Sequence, residues 1–318
     1  MVEIRRIDSV DGFLAAAGAF LAAREAEHNL LLGICSGLQA IAAGDAAPDE
    51  PTPVFFVATS GDRLVLAAVR TPPYNLVLSE VDDGTAVDAL AEELAGDDLP
   101  GVLGPAEHAA AFATRWGPAN GRTPRLAMSE RIFRLTSVRM PPLPPGCLRP
   151  ATVVDRPLVV EWYEAFGQEA LPGAPLANIE RQVDRRMAEG GIYLWHRDAP
   201  VSMAVAGSRT PNGSRVGPVY TPPERRRQGY ASACVAAVSQ AQLDAGRSFV
   251  FLFTDLANPT ANHIYREIGF EPVRDVESWL FEEPARFSAI SRHPAPRAPE
   301  PSPRARPASV ARAGSRSA

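Results

Sequence analysis

The sequence predicts two tandem α/β (α+β) domains, each with a sheet flanked by helices, followed by a disordered C-terminal tail. A proline-rich break, MPPLPPG at residues 140–146, divides the 318-residue chain near its middle, since such a run continues neither a helix nor a central strand. The two halves show the same order of predicted elements, which indicates a duplicated domain. After Phe281 large apolar residues are almost absent, so this segment cannot offset its own ordering entropy. The predicted segments are residues 1–139, a linker at 140–147, residues 148–284 and a tail at 285–318.

The composition is that of a globular protein, with 46% hydrophobic and 22% charged residues. All 32 basic residues are arginine, which, with the 31 prolines, indicates a GC-rich bacterial genome. The net charge of −5 argues against a protein that coats nucleic acid, and no apolar run is long enough for a membrane span. The three cysteines show no metal-ligand spacing. We therefore expect a cytoplasmic monomer or homodimer without a metal, nucleic-acid or membrane partner.

The second half alternates between helices and strands. We predict a helix capped by Asp155, with Pro157 in its first turn, and another helix at residues 178–189. Two hairpin turns join the strands IYLWHRD, VSMAVAGSRT and RVGPVY. A helix at 231–243, the strand SFVFLFT, the helix NHIYREIG and the strand ESWLFE complete the half.

The first half follows this order more faintly. A helix at residues 13–37 precedes the strands PVFFVAT, LVLAAVR and LVLSE, then a helix at 85–95, the strand LPGVLGP, a helix at 106–116 and the strand ERIFRL. Its loop after the third strand carries Glu80, Asp82 and Asp83, which would repel a phosphate.

The corresponding loop of the second half is VYTPPERRRQGYAS, residues 219–232. A strand ends near Tyr220, two prolines force a turn, and Gly229 precedes a helix. The amides of residues 227–231 would then point outward at the positive end of the helix dipole, which predicts an anion site. The alternative is a basic turn facing solvent, which the three arginines alone would favour. Their place between a strand, a glycine and a helix favours the anion site.

The stretch RRQGYA, residues 226–231, matches the Q/R-x-x-G-x-G/A acyl-CoA signature of the GNAT superfamily of N-acetyltransferases, and the element order resembles that family across residues 148–281. The resemblance implies a mixed, mostly antiparallel twisted sheet in each domain and a tandem GNAT protein with a degenerate first copy. It implies acetyl-CoA as the acyl donor. The implied cofactor-binding residues are Val219, Tyr220, Thr221, Arg226, Arg227, Gln228, Gly229, Tyr230, Ala231, Ser232, Asn258 and Asn262.

A second stretch, TDLANPTANHIYREIGF, resembles the N-x-x-x-x-x-x-Y-x-x-x-G-F pattern of the same family. Asn258 takes the Asn position and Tyr265 the Tyr position, and the resemblance implies that Tyr265 protonates the departing CoA thiolate. Core packing of Tyr265 and simple helix capping by Asn258 are the alternatives. Asn262 would lie at the edge of the cofactor or be exposed.

The attacking amine must be neutral, so such enzymes often use a carboxylate as base. The sequence offers Glu161, Glu164 and Glu169 in EWYEAFGQEAL, and we take Glu164 as the candidate, with solvated helix carboxylates as the alternative. We further hypothesise that the strand LPGVLGP of the first half closes part of the acceptor cleft.

These observations predict an acetyl-CoA-dependent N-acetyltransferase in which a primary amine attacks the thioester directly. A small-molecule acceptor is favoured over a protein. The alternative is a non-catalytic acyl-CoA-binding regulatory module. Binding of an acidic surface by the arginine-rich tail is less favoured than a solvated extension.

Overall fold

The computed structural model describes residues 1–42, 52–170 and 178–283; the predicted disordered tail lies outside the described residues. Within these ranges the chain forms one 12-stranded sheet with helices on both faces. The helices are α1 (Val10–Ala23), α2 (Asn29–Ala42), α3 (Thr85–Glu93), α4 (Ala106–Ala119), α5 (Arg156–Ala170), α6 (Ile179–Ala188), α7 (Tyr230–Asp244) and α8 (Pro259–Ile268). Short 3-10 turns precede α5 at Val153–Asp155 and α7 at Pro223–Arg225.

The strands of the first half are β1 (Val2–Ile7), β2 (Val54–Ser60), β3 (Arg63–Arg70), β4 (Leu76–Leu78), β5 (Gly101–Pro105) and β6 (Thr123–Leu135). Those of the second half are β7 (Cys147–Pro150), β8 (Ile192–His196), β9 (Pro200–Gly207), β10 (Gly213–Tyr220), β11 (Phe249–Asp255) and β12 (Glu271–Glu282). The two halves therefore have the same order of elements, as the sequence predicts. The mixed, mostly antiparallel sheet is also as predicted, since only β4–β5 and β10–β11 pair in parallel.

The two faces of the sheet are covered by equivalent helices of the two halves. In β11, Val250 and Leu252 pack under α7 and α8, whereas Phe249 and Phe251 point to the opposite face and contact Ala26 between α1 and α2. The cores under α5 and α6 lie on this opposite face as well, because their strand residues alternate with those under α7. The helices α7 and α8 therefore lie on one face of the sheet, and α1, α2, α5 and α6 lie on the other.

The last strand of each half is paired with the other half. The sheet order is β1-β2-β3-β4-β5-β12-β6-β11-β10-β9-β8-β7. β12 thus lies against β5, and β6 lies against β11. β6 and β12 also pair with each other, along residues 271–282 of β12. The linker separates the halves in sequence, but each half contributes a strand that the other needs. The domain boundaries at 139 and 148 stay a prediction.

Four hydrogen bonds to one carboxylate form a second link between the halves. The side chain of Glu25, in the turn between α1 and α2, accepts hydrogen bonds from Thr210 Oγ1 (2.5 Å), Asn212 N (2.7 Å), Asn212 Nδ2 (2.8 Å) and Gly213 N (3.0 Å). Glu25 is only 9% exposed. Burial on its own raises the pKa of this carboxyl, but the four hydrogen bonds outweigh it and the pKa is lowered.

Most predicted elements are present, with differences at their ends. The predicted helix at residues 13–37 is two helices separated by the turn that contains Glu25. The expected cap Asp155 instead accepts hydrogen bonds from the amide and hydroxyl of Thr152, which is the N-cap of the preceding 3-10 turn. The edge strands β1 and β7 were not predicted, because short edge strands carry little periodicity.

Candidate active site

Strands β10 and β11 lie side by side only over their first residues. Residues 213–215 pair in parallel with residues 249–251, and beyond them β11 continues against β6 as far as Asp255. β10 stays with β9, and its register shifts between Val216 and Val219. The two strands therefore diverge after Arg215 and leave a cleft between two backbone edges.

The loop from β10 to α7 leaves a run of backbone amides free at the mouth of this cleft. Within the described ranges, none of the amides of residues 227–232 donates a hydrogen bond. Arg227 and Gly229 both have left-handed backbone, with φ of 61° and 81°. Such turns direct successive N–H groups to one concave side, and the α7 dipole adds positive potential there. The loop has the geometry of an anion site at the position that the sequence predicts.

The arginine side chains of the loop have different surroundings. Arg226 is held in place: its Nε donates to the carbonyl of Thr221 (2.9 Å), and its Nη2 donates to both carboxylate oxygens of Glu169 (2.9 and 2.7 Å). Arg225 and Arg227 are exposed and pair with no described residue. The Gln228 amide donates to the Glu224 carbonyl at 3.4 Å. The free groups of the anion site are therefore chiefly backbone amides.

Four residues beside the cleft have buried or half-buried side chains. Thr221 is turned inward, with its hydroxyl 2.8 Å from that of Ser202. Tyr230 is 2% exposed and packs in the core under α7, so only its amide faces the loop. Ala231 and Ser232 are half-buried in the first turn of α7, where small side chains leave room above the amides.

Helix α8 carries Tyr265 into the core beside the cleft. The ring packs in the cluster that contains Val216 and Val219 of β10 and Leu252 of β11, and it meets Phe270 edge-on with centroids 5.8 Å apart. Its hydroxyl bonds to no described residue, and burial raises the pKa of Tyr265 to about 12. The phenol is therefore protonated at neutral pH.

The two asparagines of the second motif serve the start of α8. Asn258 is its N-cap and accepts a hydrogen bond from the amide of Ala261 (3.0 Å), as the capping alternative predicts. Asn262 is 7% exposed, and its Nδ2 donates to the carbonyls of Asp255 (2.8 Å) and Asn258 (2.7 Å). Asn262 thus connects β11 to α8 and is not exposed, so that alternative is wrong, whereas a place at the edge of the cofactor stays a prediction.

The three candidate carboxylates of α5 lie in different environments. Glu161 lines a pocket of about 340 Å³ together with Trp162 and Tyr220 and residues 222–225 at the start of the loop. Glu164 is exposed and is not among the residues that line this pocket. Glu169 is paired with Arg226. The geometry brings Glu161, rather than Glu164, to the pocket beside the loop.

The face of the sheet on the side of α5 and α6 carries two charged residues at the cleft that the sequence reasoning missed. Arg215 lies where β10 and β11 diverge, with its guanidinium 4.8 Å from the centroid of the Phe253 ring. Glu130 comes from β6 of the first half and lies opposite Asp255. A detectable signal exists for Arg215, which is the single charged residue of β10, but not for Glu130, because β6 carries three further charged residues.

The equivalent cleft of the first half is closed. β4 and β5 also diverge after two parallel pairs, but the cavity there measures about 20 Å³, space for little more than one water molecule. Glu80, which lines this cavity, is 2.7 Å from Arg274 of β12, and Arg274 is also paired with Glu107. Gly84, at the start of α3, has φ of −58° and so lacks the left-handed turn of Gly229.

Comparison with known proteins concerns both halves. Residues 192–280 match the family model described as FR47-like protein. A GNAT-family acetyltransferase from Colwellia psychrerythraea is similar over 87% of this chain and 99% of its own, with a TM-score of 0.53 at 13% identity. A GCN5-related N-acetyltransferase from Sphaerobacter thermophilus is similar over 89% of this chain and 96% of its own, with a TM-score of 0.58 at 16% identity. A tandem GNAT protein from the clavulanic acid biosynthesis pathway is similar over 88% of this chain and 98% of its own, with a TM-score of 0.52 at 14% identity. No curated relative matches the sequence.

The chain has the GNAT fold. The solved structures are matched over nearly their whole lengths, so the likeness covers both halves, and the match to the family model lies in the second half, which contains the anion loop and Tyr265. Among the described residues of this GNAT fold, no helix is long and apolar enough to cross a membrane. The same residues hold no group of three or more His, Cys, Asp or Glu side chains arranged to bind a metal ion.

Proposed function

We propose that the protein is an acetyl-CoA-dependent N-acetyltransferase whose single site lies in the second half of the chain. The observation that carries this proposal is the run of free amides at residues 227–232, at the mouth of the cleft where β10 and β11 separate. A diphosphate fits such a loop, because several N–H groups and a helix dipole converge on it without any side-chain rearrangement.

The fit of acetyl-CoA to this chain can be followed from the loop into the cleft. The amides from Arg227 to Ser232 would hold the pyrophosphate, and the side chain of Arg227, which is exposed and unpaired among the described residues, can approach the remaining phosphate charges. The pantetheine arm would lie along β10 beside Val219, where the strand edge faces the cleft. When bound, acetyl-CoA supplies the activated acetyl group.

Tyr265 is suited to protonate the thiolate that leaves when the amine has attacked. Its ring lies in the cluster that contains Val216, Val219 and Leu252, on the side of α7 and α8, which we call the cofactor face. Because its pKa is about 12, the hydroxyl keeps its proton at neutral pH and can donate it. Burial also leaves this hydroxyl without a competing partner among the described residues.

Two carboxylates of helix α5 are candidates for the base that receives the amine proton. Glu164 is the residue that the sequence favours, and Glu161 is the residue that lines the pocket beside the loop. Glu161→Gln and Glu164→Gln differ in helix position by one turn, so their effects on the rate with a given amine can be compared directly. A larger loss for Glu161→Gln supports the pocket residue.

The remaining features of the proposal concern partners and location. We infer a small-molecule amine acceptor, since the pocket beside the loop, of about 340 Å³, has the size that small molecules occupy. Cys35, Cys147 and Cys234 are free thiols, which supports a reducing cytoplasm, and the all-arginine basic composition supports a bacterial source. The closed cleft of the first half supports one cofactor site per chain and a degenerate first copy.

Two measurements on the full chain test the function. Calorimetric titration with acetyl-CoA should show binding, and CoA thiol release should rise when members of a panel of primary amines are added. Binding without thiol release on any amine would contradict the enzyme and support the non-catalytic acyl-CoA-binding module. Absence of binding would contradict both.

A further inference from the structure

Arg215 is a cation without a counter-ion. It forms no hydrogen bond or ion pair within the described ranges, and its Nε is inaccessible to solvent and unpartnered. Its guanidinium lies over the ring of Phe253 and close enough to Arg186 of α6 for the two charges to repel. An unpaired arginine in such a place is costly unless an anion neutralises it.

Glu130 is the matching anion without a counter-ion. It is half-buried, accepts no hydrogen bond from a described residue, and lies within 4.0 Å of no described cationic nitrogen. Burial raises the pKa of the Glu130 carboxyl, while the charge of Arg215 lowers it and that of Asp255 raises it, so Arg215 and Glu130 influence each other without touching. In register, Phe253 lies opposite Ile132, and Glu130 is the next residue of β6 on the same face.

Both charges lie on the side of α1, α2, α5 and α6, which we call the acceptor face. Phe251 and Phe253 alternate with Val250 and Leu252, so they point away from α7 and α8. Arg215 lies over one of these outward rings at the point where β10 and β11 separate. The anion loop and Tyr265 belong to the cofactor face. A molecule bound between Arg215 and Glu130 would therefore meet an acetyl group in the cleft from the side opposite the CoA.

We propose that the acceptor is a zwitterion, an amine that also carries a carboxylate, with the carboxylate bound by Arg215 and the ammonium by Glu130. This inference rests on the proposed acetyl transfer and adds the chemical class of the acceptor. The ring of Phe253 between the two charges offers a flat apolar surface for the carbon skeleton. Because Glu130 comes from β6, the first half completes the acceptor site of the second half.

The experiment compares matched acceptor pairs with and without a carboxylate, such as leucine with 3-methylbutylamine and tyrosine with tyramine. Acetyl transfer from acetyl-CoA is measured for the wild-type full chain, Arg215→Met, Arg215→Lys and Arg134→Met. Arg134 is the matched control, since it also lies over a phenylalanine ring, that of Phe249, but is exposed. Glu130→Gln is compared with Glu271→Gln, an exposed carboxylate on the neighbouring strand.

The proposal predicts a different pattern for each variant. The wild type should prefer the amino acid of each pair, and Arg215→Met should raise the KM for the amino acid about 10- to 100-fold while the KM for acetyl-CoA is unchanged. Arg215→Lys should recover part of this loss. Glu130→Gln should raise the KM for both members of each pair, since both carry an ammonium. Arg134→Met and Glu271→Gln should behave as wild type.

Equilibrium binding of the same acceptors separates this inference from the proposed function. Transfer to amines with no preference for the carboxylate, or an Arg215→Met variant with unchanged acceptor KM, would overturn the zwitterion site and leave the acetyltransferase standing. Binding of amino acids that depends on Arg215, without transfer, would overturn the acetyltransferase and support the site. Neither transfer nor amino-acid binding would overturn both.

Discussion

Residue 227 takes a backbone conformation that costs an arginine about 1–3 kcal/mol, and the neighbouring Gly229 takes a similar one without that cost. The strain is understandable if the loop serves to present amides rather than side chains. The sequence predicts this much, because a glycine before a helix and after a strand is a local pattern. It does not predict that Arg226 is bound to Glu169, since that contact joins two segments distant in the chain.

Gly229→Glu is expected to weaken acetyl-CoA binding about 100-fold or more, as measured by calorimetry, because a carboxylate would stand among the amides that receive the phosphates. Gly246→Glu is the matched control: Gly246 also has a left-handed φ, 87°, and open space around it, but lies at the far end of α7. Arg225→Ala should change the Kd by less than about threefold. Equal losses in all three variants would mean that bulk charge or stability, and not the loop, governs binding.

Tyr265→Phe is expected to lower kcat about 100-fold or more, with little change in acetyl-CoA affinity, because the leaving thiolate loses its proton donor. Tyr193→Phe removes a hydroxyl from a tyrosine that packs against the same core cluster and should leave kcat unchanged. Steady-state thiol release provides the measurement. An unaltered kcat in Tyr265→Phe would show that the thiolate leaves without this acid.

At the scale of elements, the second half follows its sequence closely, because its strands are short apolar runs between clear turns and its helices have recognisable ends. The strands β6 and β12 are longer than the motifs ERIFRL and ESWLFE indicate, since their outer residues are ordered by pairing with each other. The strand LPGVLGP, hypothesised to close the acceptor cleft, is β5, which β12 and β6 separate from β11. Strand partners are chosen by the tertiary fold and leave no mark in local periodicity.

The turn between α1 and α2 predicts a pH-dependent contribution to stability. Glu25→Gln should lower the free energy of unfolding at pH 7 by about 1–3 kcal/mol, since the carboxylate accepts four hydrogen bonds from the β9–β10 turn. The folded-state pKa of Glu25 is lowered, so this contribution is present above the ordinary carboxyl pKa and is lost as the pH falls through the folded value.

Urea denaturation of wild type and Glu25→Gln from pH 7 down to about pH 3 tests this sign. The difference between the two proteins should shrink as the solution becomes more acidic. Glu3→Gln, an exposed carboxylate on β1, should show no difference at any pH. A difference for Glu25→Gln that is constant with pH would show that the carboxylate charge has no part in the link.

At the scale of the whole molecule, the two halves are interlocked by the exchange of their last strands. Removing residues 1–140 would take β6 away and expose the edges of both β11 and β12. The duplication is visible in the sequence as a repeated order of elements. The strand exchange is not visible, because the sequence pattern of β6 does not depend on which strand it pairs with.

We therefore expect the fragment that begins at residue 141 to be aggregated or unfolded by circular dichroism and size-exclusion chromatography. The control is the full chain with a protease site placed within residues 140–146, which should remain one particle with one unfolding transition after cleavage. A soluble, folded fragment with full acetyl transfer would contradict the interlocked account and the role of β6 in the acceptor site.

The most direct test of the central claim, that two copies of the fold provide one cofactor site, is the stoichiometry of acetyl-CoA binding to the full chain by isothermal titration calorimetry. The account predicts one acetyl-CoA per chain, because the cavity in the first half measures about 20 Å³ and, among the described residues, only the second half has the loop of free amides. Two molecules per chain, or none, would contradict it.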